Sequence, residues 1–265
     1  MGVGAMENIR DDLRAAGAEF VATTLFVMSG VLSVVNIVSS VPAGDPMTQT
    51  TAIAFAFGLG IVVTVSGVGD ISGGHINPAV TIALVASGNV KPVRGVLYII
   101  GQFMGGILGA LLVKGIAGDK FSNGVGLNGI SGSGLTAGQG FLGEACFTFL
   151  LVWVIFHVVI SYTPTPGAEP LAALWIGLAV LIAHLCLVNL TGCGINPART
   201  FGPALVQNKW TKDDWIFFVG PILGALLVIP VFFLFYGTTK PIDVKKFNHE
   251  REQKQPEGLE VDAGL

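Results

Sequence analysis

Thr191 to Thr200 reads T-G-C-G-I-N-P-A-R-T, which sets an Asn, a Pro and an Arg in an otherwise apolar part of the chain. Pro197 suits the first turn of a helix, where its missing N–H is not needed. Asn196 is a good N-cap, and the residue before a Pro is pushed out of the helical region in any case. The spacing predicts a helix from Pro197, with its positive dipole end and the Asn196 amide facing whatever lies in front. Ser72 to Thr81 uses the same words, S-G-G-H-I-N-P-A-V-T. Aligned on Asn77 and Asn196, with Pro78 and Ala79 against Pro197 and Ala198, six of ten positions are identical at an offset of 119 residues. Two such decamers are an internal repeat.

Around them the chain is lipid-like. Charged residues are 12% and hydrophobic residues 52% of 265, with a mean hydropathy of +0.72, so the expected solvent is a bilayer. The 37 glycines fall largely inside apolar segments, where membrane helices use them for close crossing. A net charge of −3 without a basic patch gives no reason to expect nucleic acid. Cys146, Cys186 and Cys193 lie in apolar segments or the repeat, and so odd a count is no disulfide framework. No metal or cofactor motif is visible.

Six apolar segments are long enough to span, at roughly 15–38, 50–69, 93–113, 141–162, 171–189 and 215–236, against a need for about 20 residues. Residues 1–12 read as a cytoplasmic N-terminal segment, 13–237 as a channel-like domain of two repeats (13–113 and 141–237), and 238–265 as a mobile cytoplasmic tail. Termini placed inside put nine Lys or Arg in the cytoplasm and four outside.

Three spans separate the two decamers, an odd number, so they enter from opposite faces. Pro78–Ser87 and Pro197–Val206 would each cover roughly 15 Å, half of a hydrocarbon core of about 30 Å. Two half-helices would then meet N-terminus to N-terminus near the midplane, an inverted repeat of broken helices. Glu19 opens the first span and Glu144 the fourth. As buried carboxylates they could anchor the exposed amides of the dipping loops; as interfacial groups they would sit in water. Gly101, Gly105 and Gly109 form a ladder for close helix crossing, repeated by Gly220 and Gly224.

Paired N-P-A boxes, the second followed by Arg, on six spans with a Glu in the first and fourth, resemble the aquaporin family over about residues 13 to 237. The resemblance implies an all-α fold, a right-handed six-helix bundle in which two half-helices form a seventh, pseudo-continuous one. It also implies a homotetramer with a pore in every subunit. By spacing to the Asn residues, the family's narrowest ring falls on Phe57, His184, Cys193 and Arg199. Taken alone His184 could equally be a packed interior histidine. The resemblance further implies that carbonyls around Gly74, His75 and Ile76, and around Cys193, Gly194 and Ile195, face the pore.

Similar glycerol facilitators generally carry Gly at the His184 position and Asp after the Arg, where this chain has Thr200. Phe218 stands where many water channels have Trp. The expected function is a passive water-selective channel in the membrane, performing no chemistry. A broader pore also passing hydrogen peroxide, ammonia or glycerol is the alternative within the class. An ion-coupled transporter shares broken helices but wants midplane carboxylates, whereas Glu19, Asp70 and Glu144 lie near segment ends.

Overall fold

The structure, a computed structural model, describes residues 3–40, 45–160 and 171–238. The proline-bearing connection 163–170 and the tail from residue 239 lie outside the described residues. Eight α-helices follow in order among those described: α1 Val3–Ser40, α2 Pro46–Ser72, α3 Pro78–Ala86, α4 Pro92–Ala117, α5 Ala137–Ile155, α6 Ala172–Thr191, α7 Pro197–Gln207 and α8 Ile216–Tyr236. Six are long and apolar enough to cross a membrane, from Ile9–Ser40 to Ile216–Tyr236. The protein is an integral, multi-pass membrane protein.

The helices outrun the apolar runs that announce them. α1 continues toward the N-terminus through residues read as a separate segment, and Arg94 of α4 pairs with Asp12 there. α5 starts at Ala137 because Thr136 and Gln139 close a capping box, and it ends in a π-helical turn, Phe156–Ile160. Asp45 caps α2 by accepting from the Thr48 N–H at 3.0 Å. Hydrogen bonds from the Thr48 side chain and from its backbone N–H hold the Asp45 carboxyl below the usual range.

The packing is twofold-like. α1 lies on α4 as α5 lies on α8, α2 crosses α6 at the centre, and α4 holds α7 as α8 holds α3. Each half-helix is thus supported by the last helix of the other repeat. Glycines permit the approach. A Cβ on Gly105 would stand 2.5 Å from the Phe20 carbonyl of α1, and one on Gly224 2.0 Å from the Ala145 carbonyl of α5. A further pair joins the repeats: a Cβ on Gly202 of α7 would stand 2.1 Å from the Gly106 carbonyl of α4. Side chains at these positions would push helices apart and expose polar backbone to lipid.

Candidate functional site

The two decamers build the centre by the same local chemistry. Asn77 and Asn196 are extended N-caps, with Pro at the start of the following helix. Asn77 Oδ1 accepts from the Ala79 N–H at 2.9 Å, and Asn196 Oδ1 accepts from the Ala198 N–H at 3.0 Å. Their amides reach across the repeat boundary. Asn77 Nδ2 donates to the Ile195 carbonyl and Asn196 Nδ2 to the Ile76 carbonyl, both at 2.8 Å. Each amide keeps a second N–H, because a carboxamide nitrogen carries two. The Ile76 and Ile195 carbonyls therefore each hold the other repeat's Asn, with one lone pair left over.

The loops before these caps are strained. Ile76, Cys193 and Ile195 have φ of 55°, 51° and 43°, a region that residues other than glycine rarely enter and β-branched isoleucine least of all. Two buried carboxylates hold them there. Glu19 accepts from Ser72 Oγ (2.6 Å) and from the N–H groups of His75 (2.9 Å) and Ile76 (2.7 Å). Glu144 accepts from Thr191 Oγ1 (2.6 Å) and from the N–H groups of Gly194 (2.9 Å) and Ile195 (2.5 Å). Both glutamates are fully buried. The two carboxylates differ in that Gln102 Nε2 also donates to Glu19, at 2.8 Å, and Gln102 exchanges hydrogen bonds with Thr81.

Outward of the midplane, Phe57, His184 and Arg199 come together. The Phe57 and His184 rings stack with centroids 4.2 Å apart, and the Arg199 guanidinium lies 5.1 Å from the Phe57 centroid. Phe26 abuts Phe57 edge-on. Cys193 is fully buried in the same apolar cluster as Phe57. His184 Nδ1 lies 2.8 Å from the Val180 carbonyl. A carbonyl only accepts, so that nitrogen carries the hydrogen and Nε2 presents a lone pair. Arg199 Nη1 donates to the Gly126 carbonyl at 2.8 Å. His184 Nε2 and Arg199 Nε are buried without a protein partner among the described residues. One needs a donor and the other an acceptor.

Cavities lie in series on either side of this ring. An outer one of about 200 Å³ is lined by Gln49, Gly126, Asn189 and Arg199 among others. A middle one of about 20 Å³, the size of a water or so, is lined by both asparagines, His75, Ile195 and apolar residues such as Ile61 and Val180. An inner one of about 520 Å³ shares Val65 and Ile176 with the middle cavity and includes Asp70. Sequence reasoning missed Ser72, Thr191 and Gln102 as donors to the glutamates. The first two had a signal, since both decamers open on a hydroxyl residue.

The family description "Major intrinsic protein" matches residues 7–232. Aquaporin-5 of Sus scrofa is 37% identical over 253 residues, 94% of this chain and 92% of the relative. Aquaporin-4 of Mus musculus is 42% identical over 216 residues, 81% of this chain and 64% of the relative. Among solved structures, the aquaglyceroporin from Plasmodium falciparum has the same fold, with a TM-score of 0.72 at 21% identity over 83% of this chain and 95% of that one. Sequence and fold agree that this chain belongs to the major intrinsic protein family, the aquaporins.

Proposed function

We propose that the protein is a passive, water-selective channel that excludes ions and protons. The observation that carries this reading is the pair of buried polar atoms at the ring. His184 Nε2 offers a lone pair and Arg199 Nε an N–H, beside the apolar face of Phe57. Water satisfies both at once and is small enough for an aperture walled by two rings and a guanidinium; a carbon chain is neither. Phe57, His184, Cys193 and Arg199 form the selectivity filter in this reading. The carbonyls of Gly74, His75, Cys193 and Gly194, and the free lone pairs of Ile76 and Ile195, pass water along the loops. The spare N–H groups of Asn77 and Asn196 donate to one water oxygen at the midplane and turn its hydrogens outward.

Glu19 and Glu144 are loop anchors here. Their oxygens are occupied by hydroxyl and N–H donors, which leaves little for a coupling ion and disfavours an ion-coupled transporter. All four ring residues come from one chain, in keeping with a homotetramer in which each subunit carries its own pore. Both termini are assigned to the cytoplasm from the distribution of Lys and Arg.

The test is stopped-flow light scattering on proteoliposomes, comparing sucrose, glycerol and hydrogen peroxide. Water flux well above that of empty vesicles, with glycerol excluded, is expected; glycerol flux near that of water would give the channel to the broader class. His184→Gly removes the imidazole from the ring and is expected to admit glycerol at least about tenfold faster, with water flux retained. A well-folded His184→Gly protein that still excludes glycerol places the filter elsewhere.

A further inference from the structure

Residues 121–136 form neither helix nor strand, yet this segment is fastened along α7 at three points. Arg199 Nη1 donates to the Gly126 carbonyl at 2.8 Å. Thr200 Oγ1 donates to Asn128 Oδ1 at 2.9 Å. At the last residue of the half-helix, Gln207 Nε2 donates to the Val125 carbonyl at 2.9 Å while its Oε1 accepts from the Gly124 N–H at 3.0 Å. The carbonyl that holds Arg199 therefore belongs to the residue next to a two-point clamp. Gly124 and Gly126 have φ of 89° and 81°, and a Cβ on Gly126 would stand 2.8 Å from Val31 Cγ1. So flexible a backbone keeps one carbonyl aimed only if its neighbours are tied down. The inner half-helix is secured differently: Thr81, the counterpart of Thr200, bonds to Gln102 of helix α4.

We propose that Gln207 is a positioning residue for the filter: by clamping Gly124 and Val125 it aims the Gly126 carbonyl that holds the Arg199 guanidinium to one wall. The proposal rests on the water-channel reading above. Gln207 is not among the residues lining the outer or middle cavity, so it acts through Arg199. If the clamp is lost, the guanidinium loses its carbonyl. An acceptor without a protein partner at the same ring is the lone pair of His184 Nε2. A charge-assisted bond there would draw the guanidinium over the aperture and narrow it.

The test uses the full chain reconstituted in vesicles, with Gln207→Ala and the volume-preserving Gln207→Met, each in the native and in an Arg199→Val background. In the native background both are expected to lower osmotic water permeability about three- to tenfold, the scale of losing one neutral hydrogen bond of the kind that Gln207 makes. In the Arg199→Val background neither changes it by more than about twofold on that same scale. An equal fall in both backgrounds would make Gln207 a merely structural loop contact. No fall in the native background would mean that the loop keeps its carbonyl in place without the clamp. Native protein conducting no more than empty vesicles would overturn the water-channel reading itself, and this proposal with it.

Discussion

Glu144→Ala is expected to prevent the recovery of folded protein from membranes, a larger effect than any change at the ring. The carboxylate is fully buried and takes a hydroxyl and two backbone N–H groups from residues 191–195. Truncation leaves the Gly194 and Ile195 N–H groups without an acceptor, at about 1–3 kcal/mol each. It also frees Cys193 and Ile195 to leave the left-handed backbone angles of 51° and 43° in which this anchor helps to hold them. The sum is a large part of a total stability of about 5–15 kcal/mol. Glu19→Ala is expected to be milder. Gln102 already donates to Glu19 at 2.8 Å, and its amide can turn its oxygen toward the orphaned N–H groups of His75 and Ile76. Monodisperse yield in detergent and the thermal midpoint measure both variants. Glu144→Ala protein that matches the native midpoint would mean that the loop holds its shape unaided, and the anchor role of both glutamates would go with it.

The starts of the half-helices were legible in the sequence because a cap is local chemistry. Asn followed by Pro fixes both the extended residue and the first helical turn, wherever the rest of the chain goes. Helix ends were less legible. Apolar runs mark where lipid begins, whereas α4 continues past residue 113 to Ala117, and α5 begins at a Thr136–Gln139 capping box that hydropathy does not register. The glycine ladder on α4 announced a close crossing, which the structure makes with α1, but Gly58 and Gly177, which let α2 and α6 meet, are single residues without a ladder. Phe57, His184 and Arg199 were found by the family resemblance, which spacing from the two asparagines carried onto this chain, and the structure brings the three together from α2, α6 and α7. Spacing said nothing of Gly126, Asn128 and Gln207. Their bonds join an irregular segment, through its backbone and the Asn128 side chain, to side chains 72 to 83 residues away, and no periodicity marks such a partnership. The divided use of the asparagine amides was equally hidden, because it depends on where the Ile76 and Ile195 carbonyls point.

Charge exclusion offers the second large effect. Width alone cannot stop protons, because a continuous file of water relays them through any pore that water enters. A fixed positive charge can stop both protons and cations. The Arg199 guanidinium lies 5.1 Å from the Phe57 centroid, across the same narrow ring. At about that separation and an effective dielectric constant of ~20, two unit charges oppose each other by about 3 kcal/mol, or roughly two orders of magnitude in passage. Arg199→Val is therefore expected to raise proton or cation current relative to water flux by about a hundredfold, measured on voltage-clamped membranes carrying equal protein. A residual barrier should remain. α3 and α7 present their N-terminal ends to each other through the crossed Asn77 and Asn196 bonds, and each end carries about half a positive charge. Asn196→Asp keeps a good N-cap but places a carboxylate where the amide donated to the Ile76 carbonyl, so the double variant should pass more cations than Arg199→Val alone. If neither variant carries measurable current, exclusion does not rest on these charges, and the orientation of water at the two asparagines must account for it.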